Sequence, residues 1–306
     1  MCRVLAYRGP PVSLDELLYR PDSSLVRQSY DPQQLHMVNL GGFGMMAWDA
    51  TTPDPACPWT YRTTSLPMFD PNLEALARKA RTSCLLAHVR GIPLRADAGF
   101  GPHNLHPFHF PGQRWAMAHN GDLAGHRRVR YAILEQVRPD LREQIAGSTD
   151  SELVYALLLS LLDGDQSDPA TVVAAAAGVV SALRAARREQ GIEQSSALNL
   201  FLSDGVSLVA VRYTLDFGCY ATDSLQAVHA TANSYLSLWY TVGEQYGFTD
   251  DEWQMSGNPN ATDAVLLASE PLTRNVTGWI EAPEYSALAV DGRCDTLCIR
   301  SVELDV

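Results

Sequence analysis

Met1-Cys2-Arg3-Val4-Leu5-Ala6-Tyr7-Arg8-Gly9-Pro10 opens the chain, and the fold turns on its second residue. A small residue after the initiator methionine permits removal of that methionine, which leaves Cys2 with a free α-amine. An α-amine has an ordinary pKa of about 7.7–8.0 and a thiol about 8.5, so both titrate near neutral pH. The amine can take the thiol's proton directly or through a water, and a single residue then supplies nucleophile and base. The same stretch has no apolar core followed by a small-residue cleavage site, so it does not read as a secretion signal.

Working outward, the chain carries Ala87-His88-Val89-Arg90-Gly91, Asn104-Leu105-His106-Pro107-Phe108, Ala118-His119-Asn120-Gly121-Asp122 and Ser148-Thr149-Asp150-Ser151-Glu152. By residue type alone, Asn120-Gly121 reads as an ordinary turn, Arg90 as a strand-end arginine and Asp150 as a first-turn helix acid. Taken together, in this order and at these separations behind Cys2, they resemble the class II glutamine amidotransferases, a family of N-terminal-nucleophile hydrolases. Gln28-Ser29-Tyr30 and Gly41-Gly42-Phe43-Gly44 resemble the family's early segment. Ser203-Asp204-Gly205, Leu236 to Gly243 and Ala268-Ser269-Glu270-Pro271-Leu272 resemble its later half. The likeness covers most of the chain. It is strongest to stand-alone members: bacterial amidotransferases of that type, the γ-glutamyl hydrolase of ergothioneine biosynthesis and the fungal glutathione-degrading amidase.

The resemblance implies a four-layer αββα sandwich in one domain over residues 2–306, with Met1 removed. It implies that Cys2 attacks the γ-amide carbon of a glutamyl group, and that the Asn120 side-chain amide and the Gly121 backbone N–H stabilise the oxyanion. Arg90 matches the position that holds the substrate α-carboxylate, for which a planar guanidinium fork suits as lysine does not. Asp150 matches the aspartate that takes the α-ammonium. The chemistry so implied needs no metal and no organic cofactor.

Length and composition agree with a folded enzyme. The chain has 306 residues, 46% hydrophobic and 19% charged, which excludes a disordered segment and allows a full core. A formal net charge of −12 weighs against nucleic acid or an anionic membrane as partner. The longest apolar run, Thr171 to Leu183, is shorter than the roughly 20 residues a bilayer needs. Six scattered cysteines do not suggest a disulfide scaffold, and a cytoplasmic location is expected.

Local patterns favour α+β architecture over a doubly wound sheet. Asp49 to Pro71, with five prolines, reads as loop, followed by a helix over Asn72 to Ala80. Strands are expected at Ser83 to Val89 and at Trp115 to His119, the latter ended by an Asn120-Gly121 turn. Small polar residues at 148–151 start a helix over Leu153 to Leu162, and a second helix covers Ala170 to Glu189. Ala197 to Leu202 and Val206 to Tyr213 read as a hairpin, with further strands at Ala264 to Ala268 and Ala287 to Val290.

Other features carry less. His103, His106 and His109 invite a metal, but Pro102, Pro107 and Pro111 break any regular face that could present them. His88 and His119 read as satisfied structural histidines. Arg127-Arg128-Val129-Arg130 reads as a solvated helix face, and Tyr235, Trp239 and Tyr240 as core. The Gly41–Gly44 stretch lacks the spacing and lysine of a nucleotide loop.

The expected function is hydrolysis of a γ-glutamyl amide, either glutamine or a small γ-glutamyl compound, because no phosphosugar, nucleotide or ATP-binding motif of a fused synthase is seen before Val306. The alternatives are a glutaminase subunit that delivers ammonia to a separate synthase, and a non-catalytic γ-glutamyl-binding protein. A homo-oligomer stays open.

Overall fold

The structure is a computed structural model that describes residues 2–34, 38–49, 51–91, 101–217, 237–258, 262–294 and 296–305. Its first strands are β1 (Arg3–Ser13), β2 (Phe43–Trp48), β3 (Trp59–Thr63), β4 (Arg81–Val89), β5 (Ala116–Asp122), β6 (Ser196–Ser203), β7 (Leu208–Arg212) and β8 (Thr214–Leu215). They are followed by β9 (Trp239–Gly243), β10 (Gln245–Thr249), β11 (Glu252–Ser256), β12 (Ala264–Ala268), β13 (Ile280–Glu281), β14 (Ser286–Asp291) and β15 (Cys298–Glu303). The α-helices are α1 (Leu14–Leu18), α2 (Pro71–Ala77), α3 (His126–Gln136), α4 (Pro139–Arg142), α5 (Asp150–Leu161) and α6 (Pro169–Glu189).

Two antiparallel sheets organise these elements. The first has seven strands in the order β13-β9-β12-β1-β4-β2-β3, which places β1 at its centre. The second has six, β15-β14-β7-β6-β5 with β8 also on β6, and β10 and β11 form a separate hairpin.

Side chains alternate across a strand, and here both faces are buried in different cores. On β1, Leu5 and Tyr7 pack with α1 and α2 residues such as Leu14, Leu17 and Leu73. Val4 and Ala6 turn the other way, into a layer shared with Ala116 and Ala118 of β5, Phe201 of β6 and Leu288 of β14. The second sheet's outer face, with Leu198, Leu200 and Val209, meets Val129, Leu157, Val172 and Val179 of α3, α5 and α6. The result is helix, sheet, sheet, helix: the αββα sandwich. Strands buried on both faces read as continuous apolar runs, which is why composition cannot tell the inter-sheet face from the helical one.

Several local expectations shift. The segment from Asp49 to Pro71 is not all loop: Trp59-Thr60-Tyr61-Arg62-Thr63 pairs with β2 as edge strand β3. Its β-branched and aromatic residues suit a strand, and the prolines lie outside it. The next helix begins at Pro71, capped by the Asp70 carboxylate accepting from Asn72 and Leu73 N–H, and ends at Ala77. Asn120-Gly121 is not a turn, because β5 continues through it with Asn120 opposite Asn199 and Gly121 opposite Leu198. By length and composition α6 could cross a bilayer, but it buries Val172, Ala176, Val179 and Leu183 in the core.

Candidate active site

Period-two alternation also builds the site. Along β1 the parity of Val4 and Ala6 extends back to Cys2; along β4 that of Cys84 and Leu86 extends to His88 and Arg90. On β5 the parity of Ala116 and Ala118 extends to Asn120, and on β6 that of Phe201 places Asn199 opposite it. The inter-sheet layer is therefore apolar over most of its extent and becomes polar at one end. Cys2, Arg90 and Asn120 share that end.

Cys2 is half-buried, and β1–β4 pairing carries it beside the chain after Val89. The Gly91 N–H donates to its Sγ at 3.4 Å, and the thiol lies 3.9 Å from the Gly91 carbonyl. Burial pushes the thiol above its ordinary pKa, while the Gly91 N–H and the Arg90 guanidinium pull it down. Burial likewise lowers the Arg90 pKa, opposed by Cys2 and Asp150, so these three groups lie within each other's field. Arg90 is held through its backbone: its N–H donates to Gly42 O at 2.9 Å, and Gly41 N–H donates to its carbonyl at 2.7 Å.

Asp150 is the first residue of α5 and is locked by backbone donors. Leu123 N–H reaches Oδ2 at 2.7 Å and Ser151 N–H reaches Oδ1 at 2.8 Å. The loop before it is fixed by Glu152, whose carboxylate accepts from Ala146 and Gly147 N–H at 3.0 and 2.6 Å. Thr149 caps the helix, its hydroxyl accepting from Glu152 N–H at 3.3 Å. Asn120 is 1% exposed, and its Oδ1, an acceptor, has no partner among the described residues; an anionic ligand would use the Nδ2 donor end of the same amide. Gly121 is required by close approach: a Cβ there would lie 1.9 Å from Ala197 O and 2.3 Å from His119 Nε2.

Support comes from residues to which the sequence assigned no role. Arg3 forms a buried 3.0 Å ion pair with Glu270 and donates to the Cys2 carbonyl at 3.1 Å and to Gln34 O at 2.5 Å. Glu270 also accepts from Gln33 N–H at 2.6 Å, and the Ser237 hydroxyl lies 2.7 Å from Gln34 Oε1 and 2.9 Å from Ser269 O. The Ala268–Leu272 and Leu236–Gly243 motifs signalled parts of this network, but its pairings Arg3–Glu270 and Gln34–Ser237 span 267 and 203 residues.

The histidines separate. His119 is satisfied, with Nδ1 on Ser151 Oγ at 2.9 Å and Nε2 on Ala197 O at 3.1 Å. His88 is less so, contrary to expectation: its ring lies tilted against His106 with centroids 4.2 Å apart, and neither ring makes a well-formed hydrogen bond among the described residues, the His119 backbone lying near enough only to oppose the lowering of the His88 pKa. Burial keeps both neutral, with His88 lowered to about 3. His106 reaches this layer because its carbonyl crosses Gly44, where a Cβ would sit 2.1 Å away. His109 bonds Gln113 O at 2.7 Å, and no three metal-ligating side chains converge among the described residues. Met1, Cys219 and Tyr235 lie outside the described residues.

Two facing sheets between helical layers, with a cysteine heading the central strand at the polar end of their interface, define an N-terminal-nucleophile hydrolase fold. Within that class the chain belongs to the class-II glutamine amidotransferases, whose family model matches residues 65–301. The matched span holds Arg90, Asn120, Gly121 and Asp150; Cys2 precedes it. As a member the chain is an enzyme acting on amide bonds. It is 26% identical over 310 residues to the probable glutamine amidotransferase DUG3 of Saccharomyces cerevisiae, covering 95% of this chain and 82% of that one. It is 28% identical over 166 residues to the γ-glutamyl-hercynylcysteine sulfoxide hydrolase of Mycolicibacterium smegmatis, covering 52% and 63%. A class-II glutamine aminotransferase domain protein from Silicibacter pomeroyi has the same fold, at a TM-score of 0.63, 22% identity and full coverage of both chains.

Proposed function

We propose that this enzyme hydrolyses the γ-amide bond of glutamine or of a small γ-glutamyl compound through a Cys2 thioester. The supporting observation is that Cys2, Arg90 and Asp150 lie within each other's field at the polar end of the inter-sheet layer, the face onto which strand parity turns Asn120. A thiol raised by burial rests protonated, so it needs a base; with Met1 removed, the Cys2 amine is that base. The thiolate attacks the γ-carbonyl carbon, and the Asn120 amide and Gly121 N–H receive the oxyanion. The amine now carries the proton and returns it to the leaving nitrogen, which departs as ammonia or an amine. Water, deprotonated by the same amine, then splits the thioester to glutamate and free Cys2. Arg90 takes the α-carboxylate and Asp150 the α-ammonium, which selects a glutamyl head over an apolar acyl chain. The similarity to a γ-glutamyl hydrolase supports the same substrate class.

The test is intact mass before and after a glutamine-mimicking diazoketone, with amine release measured over a panel of γ-glutamyl compounds. Loss of Met1 and a single adduct, absent in Cys2→Ala, is the expected result. A processed protein that takes no label and releases no amine overturns the proposal. Full activity with Met1 retained overturns the role of the amine.

A further inference from the structure

We infer that His119 and the Ser151 hydroxyl are positioning residues, which hold the oxyanion end and the ammonium end of the site at one spacing. The inference rests on the γ-glutamyl reading above and deepens it. His119 has the opposite parity to Asn120 on β5, so its ring leaves the inter-sheet layer and enters the helical one, where it is 1% exposed. A carbonyl only accepts, so the 3.1 Å contact with Ala197 O places a proton on Nε2. Nδ1 then meets the Ser151 hydroxyl at 2.9 Å. That hydroxyl has one proton and two acceptors, and the alternative, Asp150 Oδ1, is farther at 3.3 Å.

Two consecutive residues of α5 thus clasp β5 on either side of Asn120-Gly121. Ser151 holds it at His119, and the Asp150 carboxylate holds the chain after it at Leu123 N–H, 2.7 Å away. The ring also fills the space beside Gly121, where a Cβ would lie 2.3 Å from Nε2. The ring therefore lies directly against the Gly121 backbone, and Ser151 is covalently continuous with Asp150, so the contact joins the two ends of the site. The donors for the oxyanion and the anion for the α-ammonium come from different layers of the sandwich. The His119–Ser151 contact is a direct side-chain bond between those layers at the site.

The experiment compares wild type, Ser151→Ala and His119→Asn on a γ-glutamyl anilide and on the glutaryl anilide that lacks the α-ammonium. Ser151→Ala is expected to raise KM for the γ-glutamyl substrate by about 5- to 20-fold while KM for the glutaryl substrate is unchanged, since only the former uses Asp150, and to lower kcat on both by a smaller factor than His119→Asn because His119 loses one of its two anchors. His119→Asn is expected to lower kcat by about 100-fold on both, because the oxyanion donors shift. A purely structural role would scale both substrates together in both variants without a KM change, and that result overturns the inference. Calorimetric binding of L-glutamate and glutarate separates this inference from the functional reading. A wild-type preference for L-glutamate that disappears in Ser151→Ala sustains the positioning role even if no amide is cleaved, which sinks only the hydrolase reading. No preference in wild type overturns both.

Discussion

Replacing Gly121 by alanine tests the oxyanion end of the site by geometry alone. The added Cβ would lie 1.9 Å from the Ala197 carbonyl oxygen and 2.3 Å from His119 Nε2. Neither neighbour yields easily, since the first is backbone of the adjoining chain and the second is a ring held at both nitrogens. Relief requires β5 and the chain at Ala197 to separate by more than about 1 Å, in a layer packed at crystal density. Overpacking of this kind costs about 1–3 kcal/mol. In a chain of this size, that lowers Tm by roughly 2–4 °C per kcal/mol. The same displacement moves the Gly121 N–H from the developing oxyanion, and misplacement of about 1 Å costs on the order of 100-fold in turnover. Losing such a donor outright costs about 2.7–4 kcal/mol of barrier. The assay is kcat on a γ-glutamyl anilide together with calorimetric Tm. A Gly121→Ala enzyme with kcat within about twofold of wild type and an unchanged Tm would refute the reasoning.

Three further outcomes are expected. Glu270→Ala strands the buried Arg3 guanidinium and removes the acceptor of Gln33 N–H, so denaturant unfolding should show a loss of about 3–5 kcal/mol; a loss under about 1 kcal/mol contradicts the pairing. His88 and His106 are neutral in the fold and charge on unfolding, so the unfolded state binds more protons below its value of about 6.5. Stability should thus fall as pH drops from about 6.5 towards 3, by up to about 1.4 kcal/mol per pH unit for each ring, and His88→Leu should flatten the slope between pH 6.5 and 5. An identical slope in that variant would show that His88 is not held neutral. In the Met1-retaining chain, iodoacetamide should modify Cys2 with a midpoint above the ordinary thiol value of about 8.5, read by peptide mass. A midpoint at or below about 8.5 would mean that burial does not dominate at Cys2.

Short local motifs in the sequence marked the candidate site residues. Cys2, Arg90, Asn120, Gly121 and Asp150 stood out because their motifs, in order, resemble a family pattern, whereas each read singly has an ordinary structural explanation. Helices α5 and α6 were legible directly, since caps and apolar runs are local signals. Tertiary structure decided what depends on pairing. Asn120-Gly121 looks like a turn until Asn199 and Leu198 pair with it, and Trp59–Thr63 looks like loop until β2 lies beside it. The Arg3–Glu270 clamp spans 267 residues, and no window of sequence contains both charges. His119 and His88 are the same residue type in similar apolar strands. One is satisfied by a serine from α5 and the other lies tilted against His106 without a well-formed hydrogen bond among the described residues, because adjacent layers of the sandwich surround them. A side chain's partners across a layer are set by how the sheets and helices pack, and that packing is a property of the whole chain rather than of any stretch of it.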